Sequence, residues 1–269
     1  MVTLWHWHTE PFLIGTLLLV GWIYALCVGP YRDKLHPGSP FPTAAAWWFG
    51  AGLLVLYLAV GSPLDALGEN FLLSAHMLQH HLLQYVAPLF LVLGIPGWLA
   101  DCVLRRSSKL LKLWRFLVHP VTGGALFTLF FVGWHFPVLY EAALTSKPIH
   151  ILEHITMFAP AFLLWWAFVS KSKEAPMASF GGQIIYAAAL AVTQIPLFAY
   201  LVFSTEVHYP TYEFAPRIFA LTPLEDQILA GVIMKTTGMF VSLIILSIAF
   251  YRWYQTTEAA TRQAQQDAE

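Results

Sequence analysis

Seven apolar stretches, each close to twenty residues long, constrain this chain more than any other feature. They run over roughly 12–29, 44–61, 71–94, 120–137, 149–170, 180–203 and 228–251. About 20 consecutive apolar residues are what one helix needs to cross the hydrocarbon of a bilayer. Composition agrees: 58% of residues are hydrophobic and only 11% charged, whereas a soluble domain carries about 25% charged residues. Such a chain cannot cover a water-facing surface. Turn-formers punctuate the gaps, as in "HPGSPFP" (36–42), "GSPLDALGEN" (61–70) and "GIPG" (94–97). The pattern predicts an all-α fold, one seven-transmembrane-helix bundle spanning residues 1–269, with the polar segment 256–269 as a short solvated tail. Met1 to Pro11 lacks the basic n-region of a cleavable leader.

Orientation follows from the basic residues of the loops, which accumulate on the cytoplasmic side. One side collects Arg32, Lys34, Arg105, Arg106, Lys109, Lys112, Arg115, Lys171, Lys173, Arg252 and Arg262, the other only Lys147 and Arg217. That asymmetry places the N-terminus outside and the C-terminus in the cytoplasm. A net charge of −1 offers nothing to a nucleic acid. Cys27 and Cys102 are far apart and without CxxC spacing, so neither a disulfide framework nor a thiolate metal site is expected.

With topology set, the histidines sort to one side. His76 and His80 fall in the outer half of the third helix, His135 near the outer end of the fourth, and His150 and His154 in the first turns of the fifth. Each pair is spaced i, i+4, which stacks its two rings on one helical face. A single histidine in a membrane serves as an interhelical hydrogen-bonding group. Two such pairs and a fifth ring at one depth point instead to a metal, and imidazole without thiolate suits copper, zinc, iron or nickel. Met157 shares the face of His150, and its thioether would favour Cu(I). Glu153 is placed to orient a ligand ring by accepting its second N–H. His81 is rotated about 100° from His80 and points elsewhere.

The remaining polar residues read as structure. Gln79, Gln84, Gln194 and Gln227 are expected to satisfy one another across helices. Asp65, Glu69, Glu141, Glu206, Glu213, Glu225 and Asp226 give the outer loops an acidic rim. Trp5, Trp7, Trp47, Trp48, Trp98, Trp114, Trp165 and Trp166 lie near helix ends or in tandem, as an interfacial aromatic belt does. Three functional classes fit these residues: a metal-handling factor that binds rather than catalyses, a metal- or haem-dependent membrane enzyme, and a retinal-type protein using Lys235 of the seventh helix.

Four segments then carry a specific likeness. "SPLDALGENFLLSAHMLQHHLLQYVAPLFLVLGIP" (62–96), "WHFPVLYEAAL" (134–144), "HILEH" (150–154) and "LEDQILAGVIM" (224–234) closely resemble the CtaG family of seven-helix cytochrome c oxidase assembly factors, and the likeness extends from about residue 12 to 250. It implies a bacterial cytoplasmic-membrane protein that helps supply copper to a haem–copper oxidase subunit, receiving it from an extracytoplasmic donor. The family's histidine motifs fall on His76, His80, His135, His150 and His154. Asp65 and Asp226 also match motif positions, as supporting rather than ligating groups. The terminal "HWH" (6–8) belongs to no motif of the family.

Overall fold

The computed structural model describes residues 5–267, and among them every regular element is a helix. Residues 1–4 of the segment before the first helix, and 268–269 of the tail, lie outside the described residues. Five helices are each long and apolar enough to cross a membrane, and the number rises to seven if each of two sharply bent pairs is one crossing. We label the main helices α1 (Pro11–Val28), α2 (Thr43–Gly61), α3 (Leu73–Leu93), α4 (Pro120–Trp134), α5 (Lys147–Val169), α6 (Phe180–Val202) and α7 (Pro223–Gln266). Their outward faces carry large exposed apolar side chains, among them Leu18, Leu19 and Trp22 on α1, Leu129 on α4, Ile155 on α5, Ile185 on α6 and Ile244 on α7. A surface that apolar belongs against lipid.

Helix α3 is the hub, packed on α2, α5 and α7, and it is not regular. Its two α-helical pieces, Leu73–His81 and Ala87–Leu93, are joined by a π-helical turn, Leu82–Val86. Pro88 is the reason: it has no N–H to give the carbonyl four residues back, and its ring crowds that carbonyl. The freed Gln84 carbonyl instead accepts the indole N–H of Trp165 on α5, at 2.9 Å. Trp165 and its neighbour Trp166, whose indole donates to Ala175 O at 2.8 Å, are both buried. This corrects the reading of these two residues as interfacial belt: their ring nitrogens close backbone positions inside the bundle.

Other elements depart from the sequence pattern as well. Beyond α3 the chain bends by 91° into the short helix Gly97–Leu104, and the amphipathic helix Ser108–Leu117 precedes α4 at 63°. Helix α6 is interrupted at Gln194, between Phe180–Thr193 and Ile195–Val202. Helix α7 opens on a reciprocal capping box between Thr222 and Glu225. It does not stop at the apolar boundary, so the expected solvated tail is helical as far as Gln266, although exposed. Ala, Gln, Glu and Arg dominate that stretch, and all are good helix formers.

One end of the bundle is organised around carboxylates. Asp226, at the start of α7, accepts the backbone N–H of Leu73 (2.7 Å) and Ser74 (3.3 Å) and the Ser74 hydroxyl (2.5 Å). It thereby caps the first turn of α3 from another helix and fixes where that helix begins. A short helix, Pro63–Asn70, crosses α3 at the same level, and its Gly68 is the contact point: a Cβ there would lie 3.0 Å from His76 Cα and 3.1 Å from His76 N. Only a residue without a side chain lets the two backbones meet.

Candidate metal centre

Helices α3 and α5 both begin, and α4 ends, at this end of the bundle. The i, i+4 spacing turns His76 and His80 of α3 towards His150 and His154 of α5. The rings of His76 and His80 have centroids 4.2 Å apart, and those of His150 and His154 are 4.1 Å apart. Between the helices, His76 lies 5.7 Å from His150 and His80 lies 5.9 Å from His154. Donor atoms of His76, His80, Glu153 and His154 all lie within 4.8 Å of one another. His76 is 0% exposed and His80 2%, Glu153 is likewise buried, and His154 is half-buried.

Hydrogen bonds behind the rings decide which nitrogen faces inward. Tyr212 spends its one proton on Gly68 O, at 2.7 Å, so towards His76 Nδ1, 3.4 Å away, it acts as acceptor. His76 is then protonated at Nδ1, and its Nε2 lone pair faces His80 Nε2, 2.7 Å away. His150 donates from Nδ1 to Glu69 Oε1 at 2.5 Å, leaving a buried Nε2 without a partner. This carboxylate–histidine pairing is the arrangement by which proteins orient a metal-binding imidazole. Glu69 stood in the sequence only as part of the acidic rim. Its i, i+4 relation to Asp65 was the signal that could have raised it further.

Glu153 is the outlier of the whole interior. It is 0% exposed, and neither carboxylate oxygen has a hydrogen-bond partner. His80 Nε2 lies 3.5 Å from Oε1, His76 Nε2 3.9 Å from Oε1 and His150 Nε2 4.0 Å from Oε2. The expected orienting bond from Glu153 to a ring N–H is absent, and the carboxylate instead faces the space the imidazole nitrogens share. A buried carboxylate costs several kcal/mol unless it is paired. His150 Nε2, His154 Nε2 and both oxygens of Glu153 are buried without hydrogen-bond partners, and the residues they belong to fall in donor sets that could hold a cation. The donor set, imidazole with one carboxylate and no thiolate, suits copper, zinc, iron or nickel alike.

Other sequence candidates take different places. His135 is 1% exposed with its ring 6.1 Å from that of His80, but it joins neither group of converging donors. Its Nδ1 donates to Phe131 O at 2.5 Å and its Nε2 faces the Met77 thioether at 3.3 Å. The Met157 sulfur accepts the Gln84 amide at 2.9 Å. His81 is buried, donates to Met77 O and is turned away from the cluster. The four glutamines do not bond one another: Gln79 donates to Ala59 O and Asp65, Gln194 to the Tyr85 hydroxyl, and Gln227 to Leu201 O and Glu206 O. Lys235 donates to Ala191 O at 3.3 Å, and among the described residues no carboxylate pairs with it.

Comparison with known proteins places the geometry in context. Residues 22–256 match the family described as cytochrome c oxidase caa3 assembly factor (Caa3_CtaG). The chain belongs to that family. No curated protein and no solved structure matches it. The match to the caa3 assembly factors takes in every residue of the two histidine pairs, Glu153, Asp65 and Glu69, and begins only inside α1. His6, His8 and Glu10 therefore lie outside the part of the chain that defines a caa3 assembly factor. His8 nevertheless reaches the site: its Nε2 is 2.9 Å from Asp65 Oδ2 and its Nδ1 2.8 Å from Glu10 Oε1. The Asp65 carboxylate outweighs the desolvation of the ring, and the His8 pKa is pushed up to about 9.

Proposed function

We propose that this caa3 assembly factor is a copper-binding protein of the bacterial cytoplasmic membrane. It crosses the bilayer seven times with its N-terminus outside, holds copper near the outer face and passes it to a haem–copper oxidase subunit. Copper is its cargo, and the chain acts as a carrier rather than a catalyst. Family membership supports the oxidase as destination, and the crowding of Lys and Arg at the end of the bundle opposite the histidines supports the orientation.

The observation that carries the reading is Glu153, a fully buried carboxylate with two unpartnered oxygens among imidazole nitrogens. His76, His80 and His154 would hold the ion with Glu153 supplying the balancing charge, while His135 and His150 flank the set. These donors come from two helices only, α3 and α5, so that a shift of one helix against the other would alter the shell. Such an adjustable shell suits a cargo ion that must leave by ligand exchange, unlike a closed structural site. Copper would arrive from an extracytoplasmic donor by the same exchange.

The test is anaerobic titration of the purified protein with Cu(I) against a chromophoric chelator, with metal analysis of the product. His80→Ala is expected to lose one equivalent of copper and His154→Ala at least one. Unchanged stoichiometry in both variants would overturn the assignment.

A further inference from the structure

The cluster has a second set of converging donors on its outer side. Donor atoms of Asp65, His150 and His154 also lie within 4.8 Å of one another. His150 is 5% exposed with its Nε2 unpartnered, and His154 Nε2 is buried without a partner as well. His154 belongs to both sets. Asp65 is brought in by the short helix Pro63–Asn70, whose first turn is capped by the Ser62 hydroxyl. One of its oxygens accepts the Gln79 amide at 2.5 Å and the other faces His8 at 2.9 Å. With His8 in place, each oxygen of the carboxylate already has one close neighbour.

The N-terminal segment that carries His8 is fastened over this position by a few bonds. His8 N donates to Gly61 O at 2.8 Å, Tyr57 Oη donates to His8 O at 3.3 Å, and Glu10 pairs with Lys147 at 3.1 Å. Trp7 stacks on Tyr57 with ring centroids 6.1 Å apart. Of these, the Glu10–Lys147 pair is exposed, and a segment held by so few bonds opens locally at small cost. Lifting the segment would free one oxygen of Asp65 beside two unpartnered imidazole nitrogens.

We propose that Asp65, His150 and His154 form a second, outer Cu(I) position, and that the segment around His8 is the gate over it. This rests on the reading of the inner set as a copper site. Movement inward is a ligand exchange without change of oxidation state. Bonds from the ion to the Asp65 oxygen and His150 nitrogen break as bonds to the nitrogens of His76 and His80 form, and His154 stays in reach throughout. A shared ligand means that the ion never has to be released to travel between the two positions. His8 then closes on Asp65 again, which removes the way back.

The experiment uses the full chain in detergent and Cu(I) as the probe, read as equivalents bound and as the rate of uptake from a chelator. Wild type is expected to hold two equivalents of different affinity. Asp65→Asn, which keeps an oxygen for Gln79, should retain one, as should His150→Gln, and His80→Ala should also retain one. His154→Ala should retain none. His8→Ala should retain two and take up the weaker one at least tenfold faster. Two equivalents in both Asp65→Asn and His150→Gln would overturn the outer position, as would a single wild-type equivalent that His80→Ala removes; the inner site would survive both results. Loss of all copper in both outer variants, with unfolding curves like wild type, would also overturn it, because the positions would not be separable. An unchanged uptake rate in His8→Ala would overturn the gate. Copper binding by none of the proteins would sink the inner site first.

Discussion

Replacing Glu153 by glutamine separates a metal site from a merely polar core. The carboxylate is fully buried and unpartnered, with imidazole nitrogens at 3.5, 3.9 and 4.0 Å. Two opposite unit charges about 4 Å apart gain about 4 kcal/mol at an effective permittivity near 20. Desolvation of both partners consumes much of that gain. A net loss of about 2.7 kcal/mol, or roughly 100-fold in Cu(I) affinity, is therefore expected on removing the charge. The amide also spares the copper-free protein the cost of burying a charge or of taking up a proton to neutralise it, and its NH2 can donate to the facing imidazoles. Glu153→Gln should consequently unfold at a higher temperature than wild type without copper. With free Cu(I) at 100 times the wild-type Kd, wild type gains about 2.7 kcal/mol from mass action, whereas the variant gains only about 0.4 kcal/mol. The order of melting temperatures should therefore narrow or invert on adding copper. Thermal unfolding in detergent, with and without chelated Cu(I), reads both effects. A variant that is less stable without copper and binds it within twofold of wild type would refute the reasoning.

Three other outcomes follow from the packing. Trp165→Phe leaves the Gln84 carbonyl unsatisfied and should cost about 1–3 kcal/mol. In a Pro88→Ala background, where a backbone N–H is restored, the cost should fall, and equal costs in a double-mutant cycle on thermal unfolding would disprove the link. Gly68→Ala forces a methyl to within 3.0 Å of His76 Cα. Overpacking of this kind costs about 1–3 kcal/mol, and a copper titration of the same variant should show weaker binding; unchanged values for both would mean that the helix crossing is soft. His81→Ala should lower the unfolding temperature yet leave copper stoichiometry intact, since His81 is turned away from the cluster, whereas loss of an equivalent would put its ring in the site.

How much of this was legible in the sequence depended on the range of the interaction. Because burial in lipid is set by each segment's own composition, the apolar runs mark their helices to within a few residues, except at the end of α7, which runs on to Gln266. The tail is solvated as expected, and it is also helical, because "AATRQAQQ" has strong helix formers at nearly every position. Trp165 and Trp166 were misread because a freed carbonyl on α3, eighty residues away, decides what an indole on α5 does. The histidine pairs were visible because i, i+4 spacing is local. That Glu153 would be the charge in their midst, that Glu69 would hold His150, and that His8 would reach Asp65 are matters of tertiary placement. No periodicity records them.

The π turn in α3 has one more effect. An α-helix keeps a single face toward a single neighbour along its whole length, but one additional residue in a turn advances every later side chain by about 100°. The piece before the turn, with His76 and His80, packs on α7 and on the short helix Pro63–Asn70, while the piece after it packs on α2 and α5. The turn therefore works as a phase shifter that lets one span answer to two sets of partners. Removing a single residue from Leu82–Val86 would bring the halves back into step, and the bundle would have to choose between seating the lower half of α3 and aiming its histidines.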